Sequence, residues 1–104
     1  MFKYTLIHNQ LPDITSMQFP RKCRKVQKGF FEYTIDSNFN LILDNKGLGT
    51  SSTDINLQNI IPNLTARSET SAQRFLGTAW QSGDNNNVGF ICAVLRDLGN
   101  ISIT

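Results

Sequence analysis

Apolar and polar residues alternate most regularly between Phe30 and Asp44. In an extended chain Phe31, Tyr33 and Ile35 fall on one side, and Phe30, Glu32 and Thr34 on the other. After Ser37-Asn38, the residues Phe39, Leu41 and Leu43 again share a side. Period two is the signature of a half-buried strand, and two such runs around a short polar turn predict a β-hairpin over residues 30–44. Residues 2–8 alternate in the same way, with Phe2, Tyr4 and Leu6 opposite Lys3, Thr5 and Ile7. They predict a strand that ends before the turn Leu11-Pro12-Asp13. Ile14 to Phe19 predicts a short strand stopped by Pro20.

Val88 to Leu95 is apolar on both sides of the alternation: Val88, Phe90, Cys92 and Val94 against Gly89, Ile91, Ala93 and Leu95. An extended run of this kind is covered on both faces, which predicts a central strand. Asp97-Leu98-Gly99-Asn100 then turns into a last short strand, Ile101 to Thr104. The helical signal lies at about residues 66–80. Thr65 or Ser68 can cap that helix, Glu69 suits its first turn, and Ala72, Phe75, Leu76, Ala79 and Trp80 form one stripe, interrupted by Gly77. Asp54 to Ile61 fits both periods, and Pro62 stops either element. Residues 45–53 and 82–87 read as loops. The order strand–strand–strand–helix–strand–strand predicts an α+β fold with a largely antiparallel sheet of about five strands and one main helix. An OB-like small β-barrel shares that order and is the alternative.

Length adds that residues 1–104 make one small globular domain, because neither an internal repeat nor a linker divides them. The chain is 39% apolar and only 17% charged, with seven Phe, two Tyr and one Trp as bulky core material. This is folded, not disordered, composition. Residues 1–8 lack the continuous apolar stretch of a signal peptide, and no segment has the length of a membrane-spanning helix, so a cytoplasmic location is expected. There Cys23 and Cys92 are expected to be reduced. Separated by 68 residues, they match neither a metal-ligand spacing nor a disulfide framework. The N-x-S/T matches at Asn63 and Asn100 are then chance occurrences.

Charge changes the picture more. Arg21, Lys22, Arg24, Lys25 and Lys28 are five of the ten basic residues, and no acidic residue occurs between Asp13 and Glu32. The formal net charge is only +2, leaving −3 on the 96 residues outside 21–28. Such polarisation attracts polyanions or acidic surfaces. The five cations can neutralise phosphates, and Phe30, Phe31 or Tyr33 directly behind them can stack on unpaired bases. The plainer alternative is a solvated loop or edge strand in which Lys discourages sheet-to-sheet pairing and the aromatics are core.

Other chemistry is thinner. Cys23 between Lys22 and Arg24 has a setting that lowers a thiol pKa, yet a nucleophile needs an oriented base, and the one histidine, His8, is not tied to it by sequence. An exposed, incidental thiol is the expectation there, and a buried small hydrophobe at Cys92. His8 with Glu32, Asp36 or Asp44 would be an acid–base pair, one of many such pairings in any small domain. One His and two Cys do not supply a His/Cys zinc site, so no metal or other cofactor is expected. Gly47-Leu48-Gly49-Thr50-Ser51-Ser52 follows a strand but lacks the lysine and spacing of a phosphate loop. Trp80 is expected at the core or its rim, and the Asn-rich tract over residues 84–87 in a solvated loop.

The reading is a small non-enzymatic binding domain that engages a nucleic acid or an acidic partner surface through residues 21–28, with Arg21, Lys22, Arg24, Lys25, Lys28, Phe31 and Tyr33 as its site. The alternative is a structural or protein-interaction chain of inhibitor or immunity type, able to pair as a homodimer, with no nucleic-acid role. A pocket lined by Phe, Tyr and Trp is a third class, and an enzyme comes last because no nucleophile, base and orienting group occur together.

Overall fold

The hairpin of residues 30–44 forms as its alternation predicts. In the computed structural model, which describes residues 1–44, 55–80 and 87–104, strand β3 (Phe30–Ile35) pairs antiparallel with β4 (Asn40–Asp44), Thr34 opposite Ile42 and Ile35 opposite Leu41. Asp36 builds the turn. Its Oδ1 accepts from the backbone amides of Asn38 and Asn40, both at 2.9 Å, and its backbone carbonyl accepts from Phe39 N at 2.9 Å. These bonds from backbone amides, and one from the Asn40 side chain, hold the Asp36 carboxyl below its usual range despite some desolvation. Phe39 closes the turn with φ of +65°, a conformation usually left to glycine. Its half-buried ring packs against the core, which offsets the backbone cost.

Strand β2 (Arg21–Arg24) adds to the outer side of β3, and β5 (Ile55–Asn56) to the outer side of β4, giving a four-stranded sheet in the order β2-β3-β4-β5. A second sheet has β1 (Tyr4–Leu6) at its centre, between β6 (Ser68–Glu69) and β7 (Ile101–Ile103). All pairings are antiparallel. Among the described residues three α-helices complete the α+β fold: α1 (Leu57–Ile60), α2 (Ala72–Leu76) and α3 (Val88–Asp97). Both sheets are open, so the described residues form no barrel, and they form two sheets in place of the one expected.

The largest departure from the sequence expectation is α3. Residues 88–95 are helix, not a central strand. Five consecutive residues, Ile91 to Leu95, are fully buried, because the helix is enclosed by β2, α2 and β7. Residues 91–95 are enclosed and need no polar position, so this stretch reads alike as a buried strand or as a buried helix segment. The expected face division fails with it: Phe90 is half-buried, whereas Ile91, Val94 and Leu95 are buried together.

The helix expected over residues 66–80 shrinks to α2 and a 3-10 turn, Gly77–Ala79. Ser68-Glu69 is drawn into pairing with β1, Glu69 opposite Tyr4, and the cap falls to Ser71, whose Oγ accepts from Arg74 N at 3.3 Å. Gly77, with φ of +53°, ends the helix. Ile14–Ser16 is a 3-10 turn capped by Asp13, not a strand. Asn100, fully buried, donates through Nδ2 to the carbonyls of His8 and Gln10, both at 3.0 Å, and ties the segment after β1 to the turn before β7. No helix among the described residues is long and apolar enough to cross a membrane.

Candidate anion-binding edge and cleft

Antiparallel pairing of β2 with β3 decides which way each residue of the basic segment points. Cys23 lies opposite Phe31 and Arg21 opposite Tyr33, while Arg24 lies opposite Phe30 and Lys22 opposite Glu32. The first two pairs face the core and the last two face solvent. Cys23, Phe31 and Tyr33 are accordingly buried; Lys22, Arg24, Phe30 and Glu32 are exposed.

Phe31 and Tyr33 therefore offer no stacking platform. Phe31 sits edge-on to Phe90 of α3, ring centroids 5.1 Å apart, and Tyr33 is 0% exposed. The exposed ring of the hairpin is Phe30, at 60%, with Lys22 Nζ 4.7 Å from its centroid.

Arg21 is also set apart from the other cations. Its Nε pairs with Asp97 Oδ2 at 3.1 Å, an interaction that raises its pKa against the opposing effect of burial. Lys22, Arg24, Lys25 and Lys28 make no ion pair among the described residues. Lys25 to Gly29 form the β2–β3 turn, closed by Lys25 N donating to Gly29 O at 2.9 Å, with Gly29 at φ of +99°. Arg96 fixes this turn against α3: its Nη2 donates to the carbonyls of Arg24 at 2.7 Å and Lys25 at 3.3 Å.

Between that turn and the first turn of α3 opens a cleft of about 480 Å³, lined by Tyr4, residues 25–28, Gly89 and Phe90. Lys25 Nζ stands 5.8 Å from the Phe90 ring centroid at its wall. A Cβ built on Gly89 meets nothing within 4 Å, so the helix backbone there faces open space. Tyr4 is only 6% exposed and packs its ring on Phe75, with centroids 6.2 Å apart. Its hydroxyl makes no hydrogen bond among the described residues. Burial, with Cys92 nearby, pushes that hydroxyl above its ordinary pKa against the opposing charge of Arg96, so it stays a neutral donor at physiological pH.

The remaining candidates separate. Cys23 is 3% exposed, not a surface thiol; its Sγ donates to Ala93 O at 3.4 Å, and desolvation pushes its pKa up to about 11. The adjacent cations do not lower it, because Lys22 and Arg24 point to the other face of the strand. Cys92 is a buried hydrophobe at 0% exposure, though on a helix. His8 Nδ1 accepts from Gln10 N at 3.2 Å and lies 3.3 Å from Asn100 Nδ2; no hydrogen bond or ion pair joins it to Glu32 or Asp36. Among the described residues no three of His, Cys, Asp or Glu lie together as metal ligands would. Trp80 is half-buried at the core rim, with Nε1 out of solvent. Residues 47–52 and 84–86 lie outside the described residues, as does the side chain of Asp44.

Tyr4, Gly89 and Phe90 were not singled out by sequence. They reach residues 25–28 only through the packing of β1 and α3, and no local pattern announces that. Comparison with protein-family models, with curated proteins and with solved structures gives no match.

Proposed function

We propose that this chain is a non-enzymatic binding domain whose edge strand β2 and following turn engage a single-stranded nucleic acid. One observation carries the reading: Lys22, Arg24, Lys25 and Lys28 lie together on one sheet edge without ion pairs among the described residues, next to the exposed ring of Phe30. Free cations release counterions when they neutralise phosphates, and an exposed ring accepts any base by stacking. Phe30 takes the stacking role that Phe31 and Tyr33, as core residues, do not offer.

The test is fluorescence anisotropy with a labelled single-stranded oligonucleotide across a salt series. Affinity is expected to fall steeply with salt, and changing Lys22, Arg24, Lys25 and Lys28 together to Gln is expected to remove most of it while thermal unfolding stays unchanged. Phe30→Ala is expected to weaken binding by about 1–3 kcal/mol, the worth of one stacked base. Absence of binding at low salt overturns the reading. A second reading, self-association, draws on Ile42, which is 46% exposed on the same sheet face as Phe30. Dimeric elution in gel filtration, abolished by Ile42→Lys, would support it in place of the first.

A further inference from the structure

We propose that strand β7 pairs with the β7 of a second copy of this chain, joining their three-stranded sheets into one continuous sheet across a two-fold axis. β7 lies at the edge of its sheet and gives only one side of its backbone to β1. The ladder shows which groups are left over. Lys3 N donates to Thr104 O and Thr104 N to Lys3 O, both at 3.0 Å, and Ile7 N donates to Asn100 O at 2.8 Å, with Thr5 opposite Ser102 between them. Asn100, Ser102 and Thr104 therefore turn their carbonyls toward β1. Strand geometry then turns the N–H and C=O of Ile101 and Ile103 to the open side. Neither residue makes a backbone hydrogen bond on that side among the described residues.

β7 alone among the described edges is unguarded. Exposed strand edges are ordinarily blunted by charge, by Pro or by brevity. At β2, Lys22 and Arg24 stand exposed, with Lys25 and Lys28 in the following turn, so a second β2 would bring like charges together. β5 and β6 are two residues long, and β6 contains Glu69. Ile101-Ser102-Ile103-Thr104 has no charge and no Pro, and Ile and Thr favour strands.

This edge is also its own complement. Laid antiparallel with Ser102 on the axis, Ile101 of one copy meets Ile103 of the other, and each such pair exchanges both of its N–H···O bonds. Every outward group of β7 is then satisfied. Ile101 and Ile103 share the core-facing side of the strand, Ile101 at 2% exposure and Ile103 half-buried. The open flank of Ile103 would be covered by Ile101 of the second copy, an apolar cross-strand pair. A contact one strand wide is at the small end of specific interfaces, so the dimer should form at high protein concentration and dissociate on dilution.

The pairing uses neither the basic edge nor Ile42, so it fails separately from the nucleic-acid reading and from self-association through the other sheet. The experiment is sedimentation velocity of the full chain over a concentration series, without oligonucleotide, with amide exchange followed by NMR on the same samples. The dimer fraction is expected to grow with concentration, and the amides of Ile101 and Ile103 to exchange more slowly as it does. The Ser102 amide, already turned to β1, should change less.

Ser102→Lys and Ser102→Glu each place like charges opposite one another at the axis, where the Cα atoms of such a pair lie about 4.5 Å apart. Either variant alone is expected to lose the dimer. Mixed, they are expected to regain it, because opposite charges then meet, and that recovery shows that both variants fold. Ile42→Lys should leave the dimer intact. A wild type that stays monomeric at every concentration overturns the proposal and leaves the edge to an extended segment of another protein. A dimer that survives both Ser102 variants, that is lost in Ile42→Lys, or that forms without slowing exchange at Ile101 and Ile103 uses another surface, and each of these overturns the proposal as well.

Discussion

The Tyr33 hydroxyl donates to Asp97 Oδ2 at 2.6 Å, joining the middle of β3 to the last turn of α3, and Arg21 Nε reaches the same oxygen at 3.1 Å. One carboxylate thus holds a fully buried phenol and a half-buried guanidinium. Burial and the Asp97 carboxylate together push the Tyr33 hydroxyl far above its ordinary pKa. The arrangement removes Arg21 from the anion-binding edge and makes it part of the scaffold.

Tyr33→Phe should lower stability by about 1.5–3 kcal/mol, the worth of a hydrogen bond to a charged group. The Arg21–Asp97 pair, with side chains 38% and 26% exposed, should contribute less than about 1 kcal/mol in a double-mutant cycle. Urea unfolding of the four variants measures both. A Tyr33→Phe loss no larger than the Arg21–Asp97 coupling would show that the phenol is not the stronger tie.

Alkaline pH should unfold the protein through its thiols. From an ordinary value of 9.0, burial pushes Cys92 up to about 12, and burial with the Asp97 carboxylate pushes Cys23 up to about 11, against Arg96 and Arg21. Between those values the folded chain keeps protons that the unfolded chain has released. Stability is therefore full below the unfolded value and falls as pH rises through the folded ones. Cys92→Ala should flatten the decline above pH 9, read as urea midpoint against pH; parallel curves for wild type and variant would contradict the assignment. Neither thiol should react quickly with an alkylating reagent in the native state.

Two glycines should respond in opposite directions to alanine. Gly89 has open space around a new Cβ and lies in a helix, so Gly89→Ala should stabilise by about 0.5–1 kcal/mol. Gly77 has φ of +53°, and a Cβ there would meet Arg67 Nη1 at 3.1 Å. Gly77→Ala should therefore destabilise by about 1 kcal/mol or more. Thermal midpoints that move the same way in both variants would sink this pairing.

Phe75 and Phe90 distinguish a core ring from a wall ring. Phe75 is 1% exposed beneath Tyr4, so Phe75→Ala should cost about 3–5 kcal/mol. Phe90 is half-buried, and Phe90→Ala should cost about half as much. Equal losses would place Phe90 in the core, as a central strand over residues 88–95 would have required.

What the sequence determined by itself was local. Alternation over residues 30–44 was enough for the hairpin because each strand has one buried and one solvated face, and such a pattern admits one register. The α+β class followed from the same kind of pattern, and the charge run 21–28 told where cations gather. Packing decided the rest. The pattern separates Phe30 from Phe31 but does not say which side meets α3, so sequence alone puts the stacking ring on the wrong face. Residues 91–95 carry no polar position because they are enclosed, and helix and strand then look alike over so short a run. Ser68-Glu69 left its expected helix because β1 offered a ladder to pair with, a long-range bond that outweighs weak local propensity. The cleft is the fullest case. Tyr4, Lys25 and Gly89 are far apart in the chain, and only the seating of β1 and the β2–β3 turn against α3 brings them around one space.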